Sequence, residues 1–129
     1  MLVLSKEMEY GLLFLSYIYR KGSKTNLSNL VEKTGLPKRF LARIASKLVK
    51  TGLLISQEGK YGGYYLGKKI KKTTLYEYLK NFRQEIIFCS CQDEKRCRYD
   101  KFCHHKSFNK KFNRLIINQL KKIKLIELL

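Results

Sequence analysis

Four cysteines lie close together in this chain, and their spacing is the first feature that indicates chemistry. Residues 88 to 105 read FCSCQDEKRCRYDKFCHH, and the cysteines in this stretch are Cys89, Cys91, Cys97 and Cys103. Thiolates are soft ligands that suit zinc, copper(I) and iron–sulfur clusters, but structural zinc sites usually pair cysteines two to four residues apart. The repeated spacing of five residues instead favours a larger object, an iron–sulfur cluster, over zinc, disulfides or free thiols.

The charge of the chain indicates a polyanionic partner. Its 129 residues carry 28 Lys and Arg against 10 Asp and Glu, a formal net charge of +18. Such a field favours nucleic acid or an anionic membrane surface. We expect no membrane span, because no apolar run is long enough, and no secretory signal, because the first 19 residues are amphipathic and acidic in part. A cytoplasmic location follows, where thiols stay reduced.

A cationic helix is the predicted DNA-reading element. A helix starting near Lys6, apolar on most sides, should be largely buried, and a second short helix should stop at Gly35. The third, from Lys38 to Thr51, has an inner face of Leu41, Ile44, Ala45 and Leu48. The second helix, the turn at Gly35 and the basic third helix together make a helix-turn-helix motif. Although a solvated lysine face is the plain alternative, we expect DNA contacts from Lys38, Arg39, Arg43, Lys47 and Lys50.

The next segment predicts a hairpin wing. Strands over Leu53–Ser56 and Tyr64–Leu66 enclose a glycine-rich tip, where glycines let the backbone take positive φ and approach another surface closely. A loose turn is the simpler alternative. After a helix-turn-helix we interpret the hairpin as a wing that contacts DNA backbone or minor groove through Lys60, Tyr61, Gly62 and Gly63.

The C-terminal part predicts an interaction helix. A cap at Thr73 or Thr74 should open a helix to about Phe82. From Ser107 the final helix carries apolar residues at spacings of three and four: Phe108, Phe112, Leu115, Ile116, Leu120 and Ile123. This stripe can cover the chain's own core, pair with a second subunit or lie on a membrane; pairing is favoured, since small DNA-binding modules bind as symmetric dimers.

The predicted fold class is therefore mainly α with a small β-hairpin. A winged helix-turn-helix domain should span residues 1–82, a cysteine-rich segment residues 83–106, and a dimerisation helix residues 107–129.

In their order along the chain, these elements and motifs resemble those of the IscR, NsrR and RirA family of bacterial winged-helix regulators. The matching residues are Leu4-Ser5, Tyr10-Gly11-Leu12, Glu32-Lys33-Thr34-Gly35-Leu36-Pro37, Phe40-Leu41, Lys50-Thr51-Gly52-Leu53, Gly62-Gly63-Tyr64, Thr74-Leu75 and the C-x5-C-x5-C of Cys91, Cys97 and Cys103. The resemblance implies a homodimeric transcription factor, with repression favoured, on double-stranded promoter DNA. Its iron–sulfur cluster, 4Fe-4S slightly favoured over 2Fe-2S, would sense nitric oxide, redox state or iron and cluster supply.

The resemblance leaves the fourth cluster ligand open. IscR-like proteins place a histidine three residues after the last cysteine, where this chain has Lys106; His104 and His105 are out of register. NsrR-like proteins use a carboxylate of the partner subunit's first helix, and Glu9 falls on that position. Cys89 has no counterpart in the family and is a less favoured ligand.

Two departures from the family leave the operator sequence open. Glu58 occupies a wing position that is often Arg in the family, and Ala42 occupies the position of an acidic base-reading residue in some members. The alternatives are a winged helix with structural zinc and a metal-free switch in which Cys89 and Cys91 cycle by oxidation. An enzyme is not expected, because the sequence has no nucleophile–base set and no phosphate-binding loop.

Overall fold

The computed structural model describes residues 4–82, 98–99 and 101–129. Its α-helices are α1 Lys6–Lys21, α2 Leu27–Thr34, α3 Lys38–Lys50, α4 Leu75–Asn81 and α5 His105–Leu120. Strands β1 Leu54–Gln57 and β2 Gly63–Leu66 follow α3, and short 3₁₀ turns span Lys68–Lys71 and Leu125–Leu128. The predicted fold class, mainly helical with one hairpin, is confirmed. None of the described helices is long and apolar enough to cross a bilayer.

Local capping explains where the helices begin and end. The first turns of α1, α2 and α4 are capped by Ser5, Asn26 and Thr74, whose side-chain oxygens accept hydrogen bonds from backbone N–H groups of these turns. At α4, Glu77 completes a capping box. The left-handed residues Gly22 and Gly35 end α1 and α2. These boundaries agree with the sequence analysis, because each signal acts within one helical turn.

The hairpin is a two-stranded antiparallel sheet whose register pairs Leu54 with Leu66 and Gln57 with Gly63. Strand β1 is displaced by one residue from its predicted range, and β2 begins one residue earlier than predicted but ends at Leu66 as predicted. Leu53 belongs to the connection instead, because its N–H donates to the carbonyl of Leu48 at 3.0 Å and completes the end of α3.

The core is formed by the inner faces of α1 and α3, the base of the hairpin and α4. Tyr78 of α4 is fully buried and donates its hydroxyl to the carbonyl oxygen of Met8 at 2.7 Å. Burial raises the pKa of the Tyr78 hydroxyl well above its usual value. Gly11 of α1 lies directly against that hydroxyl, so a Cβ there would collide with it. A glycine inside α1 is therefore required by packing.

Two sequence-based expectations about the helices were wrong in part. Helix α1 is not buried on most sides: Leu13 and Tyr19 are exposed, because only one stripe of a 3.6-residue helix can face α3. Helix α5 begins two residues earlier than expected and ends at Leu120, so Ile123 lies beyond it. Leu125, in the following 3₁₀ turn, is completely buried, and its N–H donates to the carbonyl of Thr73 at 2.9 Å.

Candidate nucleic-acid interface and sensor segment

Helix α3 separates a core face from a cationic face, as the sequence indicated. All four apolar residues of the predicted inner face are buried. The opposite face exposes Arg39, Arg43, Ser46 and Lys50, which recur at helical spacing. Lys38 is also exposed, at the start of the helix. The structure thus presents four of the five cations predicted on this helix to solvent as one surface.

The fifth cation, Lys47, turns toward the protein, and an acid from α1 accounts for this. Glu7 accepts a hydrogen bond from Lys47 Nζ and forms an ion pair with Arg43 at 3.1 Å. Lys47 Nζ also lies 5.6 Å from the centre of the Phe82 ring. The hydrogen bond from Lys47, together with the charges of Lys47 and Arg43, lowers the pKa of the Glu7 carboxyl. Sequence reasoning missed Glu7, because no local rule connects the first turn of α1 with α3.

The wing and α3 border a common groove. A cavity of about 410 Å³ is lined by the start of α2, by Lys38 and by wing residues that include Lys60, Gly62 and Gly63. Tyr61 at the wing tip is 77% exposed, and Lys60 Nζ lies 5.7 Å from the centre of its ring. Every predicted DNA contact of the wing therefore lies at its tip or along this groove. Glu58 lines the groove too and reduces its positive charge.

The wing glycines allow a close approach, but within the chain itself. Gly63 has φ of +150° and lies so near Thr25 that a Cβ would be 2.7 Å from its carbonyl oxygen. A Cβ on Gly62 would collide with the carbonyl oxygen of Gln57. Gly62 is therefore needed to close the hairpin tip, and Gly63 is needed to pack the hairpin against the α1–α2 connection.

Of the four cysteines, the described residues include one. Cys103 is a free, half-buried thiol whose Sγ accepts the backbone N–H of His105 at 3.4 Å. Cys89, Cys91 and Cys97 lie outside the described residues, so the proposed ligand set stays a prediction. Within the described ranges, no three His, Cys, Asp or Glu side chains are grouped as a metal site.

Cys103 borders an open, mostly apolar cavity of about 610 Å³. The lining residues are Tyr99, Phe102, Cys103, His104, His105 and Phe108. A thiol and two imidazoles are donors that iron accepts, so these residues fit an iron–sulfur cluster by the chemistry of their donors. Because Phe102 is 86% exposed and the cavity is open, the described part of one chain does not shield the site from solvent. Both histidines are exposed at the start of α5.

Glu9 has a partner in its own chain. It lies on the exposed side of α1, and its carboxylate is 3.2 Å from the ammonium group of Lys6. Its predicted role as a ligand from the partner subunit stays a prediction.

Helix α5 has no fully buried residue. Its apolar stripe includes Phe108 and Leu115, which are 60% and 61% exposed. Phe108 stacks on Phe112 with ring centres 5.6 Å apart. An apolar stripe of this size on an exposed helix is typical of an interaction surface.

Comparison with known proteins agrees with this geometry. The model of the Rrf2 family, described as an iron-dependent transcriptional regulator, matches residues 4–129. The transcriptional regulator IscR of Photorhabdus laumondii is 29% identical over 72 residues, which are 56% of this chain and 44% of that protein. The chain spans between 44% and 63% of the length of the curated relatives compared with it.

Solved structures show the same fold. CymR, the global cysteine regulator of Bacillus subtilis, superposes with a TM-score of 0.75 at 22% identity, over 99% of this chain and 96% of that one. IscR of T. potens superposes with a TM-score of 0.66 at 23% identity, over 97% and 84% of the two chains. The resemblance inferred from the sequence is thereby confirmed. Because the family model covers the chain from residue 4 to residue 129, the chain belongs to the Rrf2 family, whose members are transcriptional regulators and not enzymes.

Proposed function

We propose that this protein binds promoter DNA as a homodimer and represses transcription, and that an iron–sulfur cluster controls its binding. The observation that carries the proposal is the joint surface of α3 and the wing. Exposed cations of α3 lie beside a groove whose other wall is the wing, with Lys38 and Lys60 on its two sides. A recognition helix that enters the major groove and a wing that follows the backbone need this arrangement.

The electrostatics of the chain support duplex DNA as the partner. In the part of the chain that the structure describes, Arg39 and Lys50 form no ion pair, so their charges are available to phosphates. Neutralising phosphates releases counterions from DNA, so affinity should fall steeply as salt rises. The wing adds an exposed tyrosine and a lysine at the position where a wing reaches the minor groove.

The exposed stripe of α5 supports a homodimer. Phe108 and Leu115 stand in solvent in the single chain, and a second copy of the same helix is a complementary apolar partner. Two recognition helices related by a twofold axis can read half-sites about 34–36 Å apart on one face of DNA. Pairing through α5 would fix the distance between them.

The cluster is proposed from cysteine chemistry and from the family. Cys91, Cys97 and Cys103 would supply three thiolates, and Glu9 of the partner is the favoured fourth ligand. Cys103 borders an open cavity, so its thiolate is accessible to a cluster. When bound, such a cluster supplies a centre that reacts with nitric oxide or oxidants, or is lost when iron is scarce. Cys103 lies two residues before the start of α5, so the state of a cluster bound to it would influence the pairing of the two recognition helices.

Spectroscopy combined with a binding assay tests the proposal. Protein purified without oxygen should be coloured and contain iron and sulfide, and removing the cluster with a chelator should change its affinity for promoter DNA. Cys97→Ser should abolish the colour, whereas Cys89→Ser should retain it. Glu9→Ala should shift the visible spectrum if Glu9 is a ligand. Colourless, iron-free protein that binds DNA unchanged would contradict cluster control and leave DNA binding standing.

A metal-free thiol switch is the second candidate. The solved neighbours include an oxidised form of Staphylococcus aureus CymR, with a TM-score of 0.68 at 19% identity. In this chain, the free thiol of Cys103 is half-buried and partly accessible to oxidants. Mass measurement after mild oxidation separates the two candidates, because a thiol switch changes the protein's mass without any iron. Structural zinc would leave the protein colourless but metal-bound.

A further inference from the structure

Lys24, in the connection between α1 and α2, joins the two sides of the wing tip. Its ammonium group donates to Gln57 Oε1 at 2.9 Å and to the carbonyl oxygen of Tyr61 at 2.7 Å. Gln57 is the last residue of β1, and Tyr61 is in the tip that leads to β2. One side chain therefore bridges the hairpin from outside.

The backbone next to Lys24 is fixed to the same hairpin. Thr25 and Tyr64 exchange both backbone hydrogen bonds, at 3.0 and 2.7 Å, and form an antiparallel bridge. The close approach of Gly63 to Thr25 leaves no room for a side chain between them. Thr25 is thus bridged to β2, and Lys24 is the residue directly before this bridge.

The wing tip has little else to hold it. Among the described residues of the tip, one backbone hydrogen bond is present: the N–H of Gly62 donates to the carbonyl oxygen of Gly59 at 2.9 Å. A two-stranded hairpin is at best marginally stable without further packing. Two side chains of the tip that we propose to contact DNA, Tyr61 and Lys60, are exposed and contribute little packing.

We propose that Lys24 is a positioning residue that holds the wing tip in the shape that DNA requires. The proposal rests on the proposed DNA-binding function, and it assigns to Lys24 a role different from that of the other lysines. Although Lys24 is exposed, its ammonium donates to two oxygen atoms of the protein, so the proposal assigns it the wing and not a phosphate as its main partner. Through the Tyr61 carbonyl it sets where the Tyr61 ring and the adjoining Lys60 charge stand.

The first test needs no DNA. Amide hydrogen exchange of residues 57–64 is compared in the wild type, Lys24→Met, Lys24→Arg and the control Lys122→Met, which removes an exposed lysine after α5. Loss of two hydrogen bonds should speed exchange of the Gly62 amide about five- to tenfold in Lys24→Met. Arginine has donors that reach both oxygens and should restore most of the protection. Lys122→Met should leave the wing unchanged.

The second test uses the duplex that the wild-type protein selects best from a random DNA library. Lys24→Met should weaken its binding about three- to tenfold at a fixed salt concentration, and Lys24→Arg should recover most of the affinity. Displacement of Lys60 with the wing tip would itself alter the dependence of log affinity on log salt. The slope is therefore compared between Lys60→Met and the double variant Lys24→Met/Lys60→Met, and it should be the same for the two. Loss of a lysine that contacts a phosphate would lower that slope by about 0.9.

The outcomes separate this role from the function on which it rests. Unchanged exchange in the wing of Lys24→Met would overturn the positioning role even if the protein binds DNA. So would a slope that Lys24→Met lowers by about one phosphate contact in the Lys60→Met background. Faster exchange in Lys24→Met would confirm that Lys24 holds the wing tip. If the wild type then selected no duplex from the library, DNA binding alone would be refuted. Gln57→Ala, which keeps the lysine, should give an intermediate increase in exchange.

Discussion

Replacing Glu7 with glutamine should have opposite effects on fold stability and on DNA binding. The Glu7 side chain is 26% exposed and pairs with Arg43 and Lys47 of α3. Partly exposed ion pairs are each worth roughly 0.2–1 kcal/mol. The two pairs together should therefore contribute about 1 kcal/mol, which Glu7→Gln should remove from the free energy of unfolding.

DNA binding should become stronger, because the carboxylate competes with phosphates. A phosphate on Arg43 would lie roughly 8 Å from the Glu7 carboxylate, where the repulsion in water is about 0.5 kcal/mol. Screening in about 0.1 M salt roughly halves this value. For one phosphate on Arg43, the exposed cation of the two, the remaining repulsion is about 0.25 kcal/mol, or a gain in affinity of about 1.5-fold.

Denaturant unfolding and fluorescence anisotropy with a labelled duplex measure the two quantities. Glu127→Gln is the matched control, because it changes the net charge equally and Glu127 has no ion pair within the described residues. An equal gain in affinity for both variants would show that only net charge matters. Weaker DNA binding of Glu7→Gln would refute the reasoning, since Glu7 would then hold Arg43 and Lys47 in a required position.

The stability effect should depend on pH in a defined direction. The pKa of Glu7 is lowered in the folded protein from its ordinary value of 4.5, chiefly by the hydrogen bond from Lys47. Stabilisation by a carboxylate with a lowered pKa is fully present above the unfolded-state pKa and disappears as the pH falls through the folded-state pKa. The wild type and Glu7→Gln should therefore differ at pH 7 and converge in acid, as denaturation at several pH values would show.

Three further variants test the interface, the pairing and the core. Arg39→Ala should weaken DNA binding and lower the salt slope by about 0.9, because Arg39 is exposed and its charge is available to a phosphate; an unchanged slope would remove Arg39 from the interface. Leu115→Glu should convert dimers to monomers in sedimentation, since a charge on the exposed stripe of α5 would be buried on pairing; a dimer of wild-type affinity would place the contact elsewhere. Gly11→Ala should cost about 1–3 kcal/mol of unfolding free energy, because its methyl group meets the Tyr78 hydroxyl; unaltered stability would mean that α1 and α4 can move apart freely.

Features set by short-range rules could be predicted from the sequence. The starts of α1, α2 and α4 follow from a capping residue before an amphipathic run, and the core face of α3 follows from its periodicity. The predicted cationic face of α3 is present as well. In each case the residues that fix the structure lie within a few positions of one another.

Contacts between distant elements could not be predicted in this way. Glu7 meets α3 some forty residues later, and Lys24 meets the wing tip across 37 residues. Neither pair has a distinguishing motif, and a single acid or lysine in so basic a chain has many possible partners. The end of α5 was missed for a related reason, since the apolar spacing continues to Ile123 while the backbone turns to bring Leu125 into the core.

The position of Leu125 also bears on the order in which the protein is built. This side chain fills a core made almost entirely by residues before Asn81, and its segment pairs with the start of α4 through Thr74 and Lys124. During synthesis on the ribosome, the winged-helix part must wait for the whole cysteine-rich stretch and α5 to emerge before that last gap is closed. Completion of the winged-helix part is thus tied to synthesis of the cysteine-rich stretch, so a nascent chain still without its cysteines would be incompletely folded.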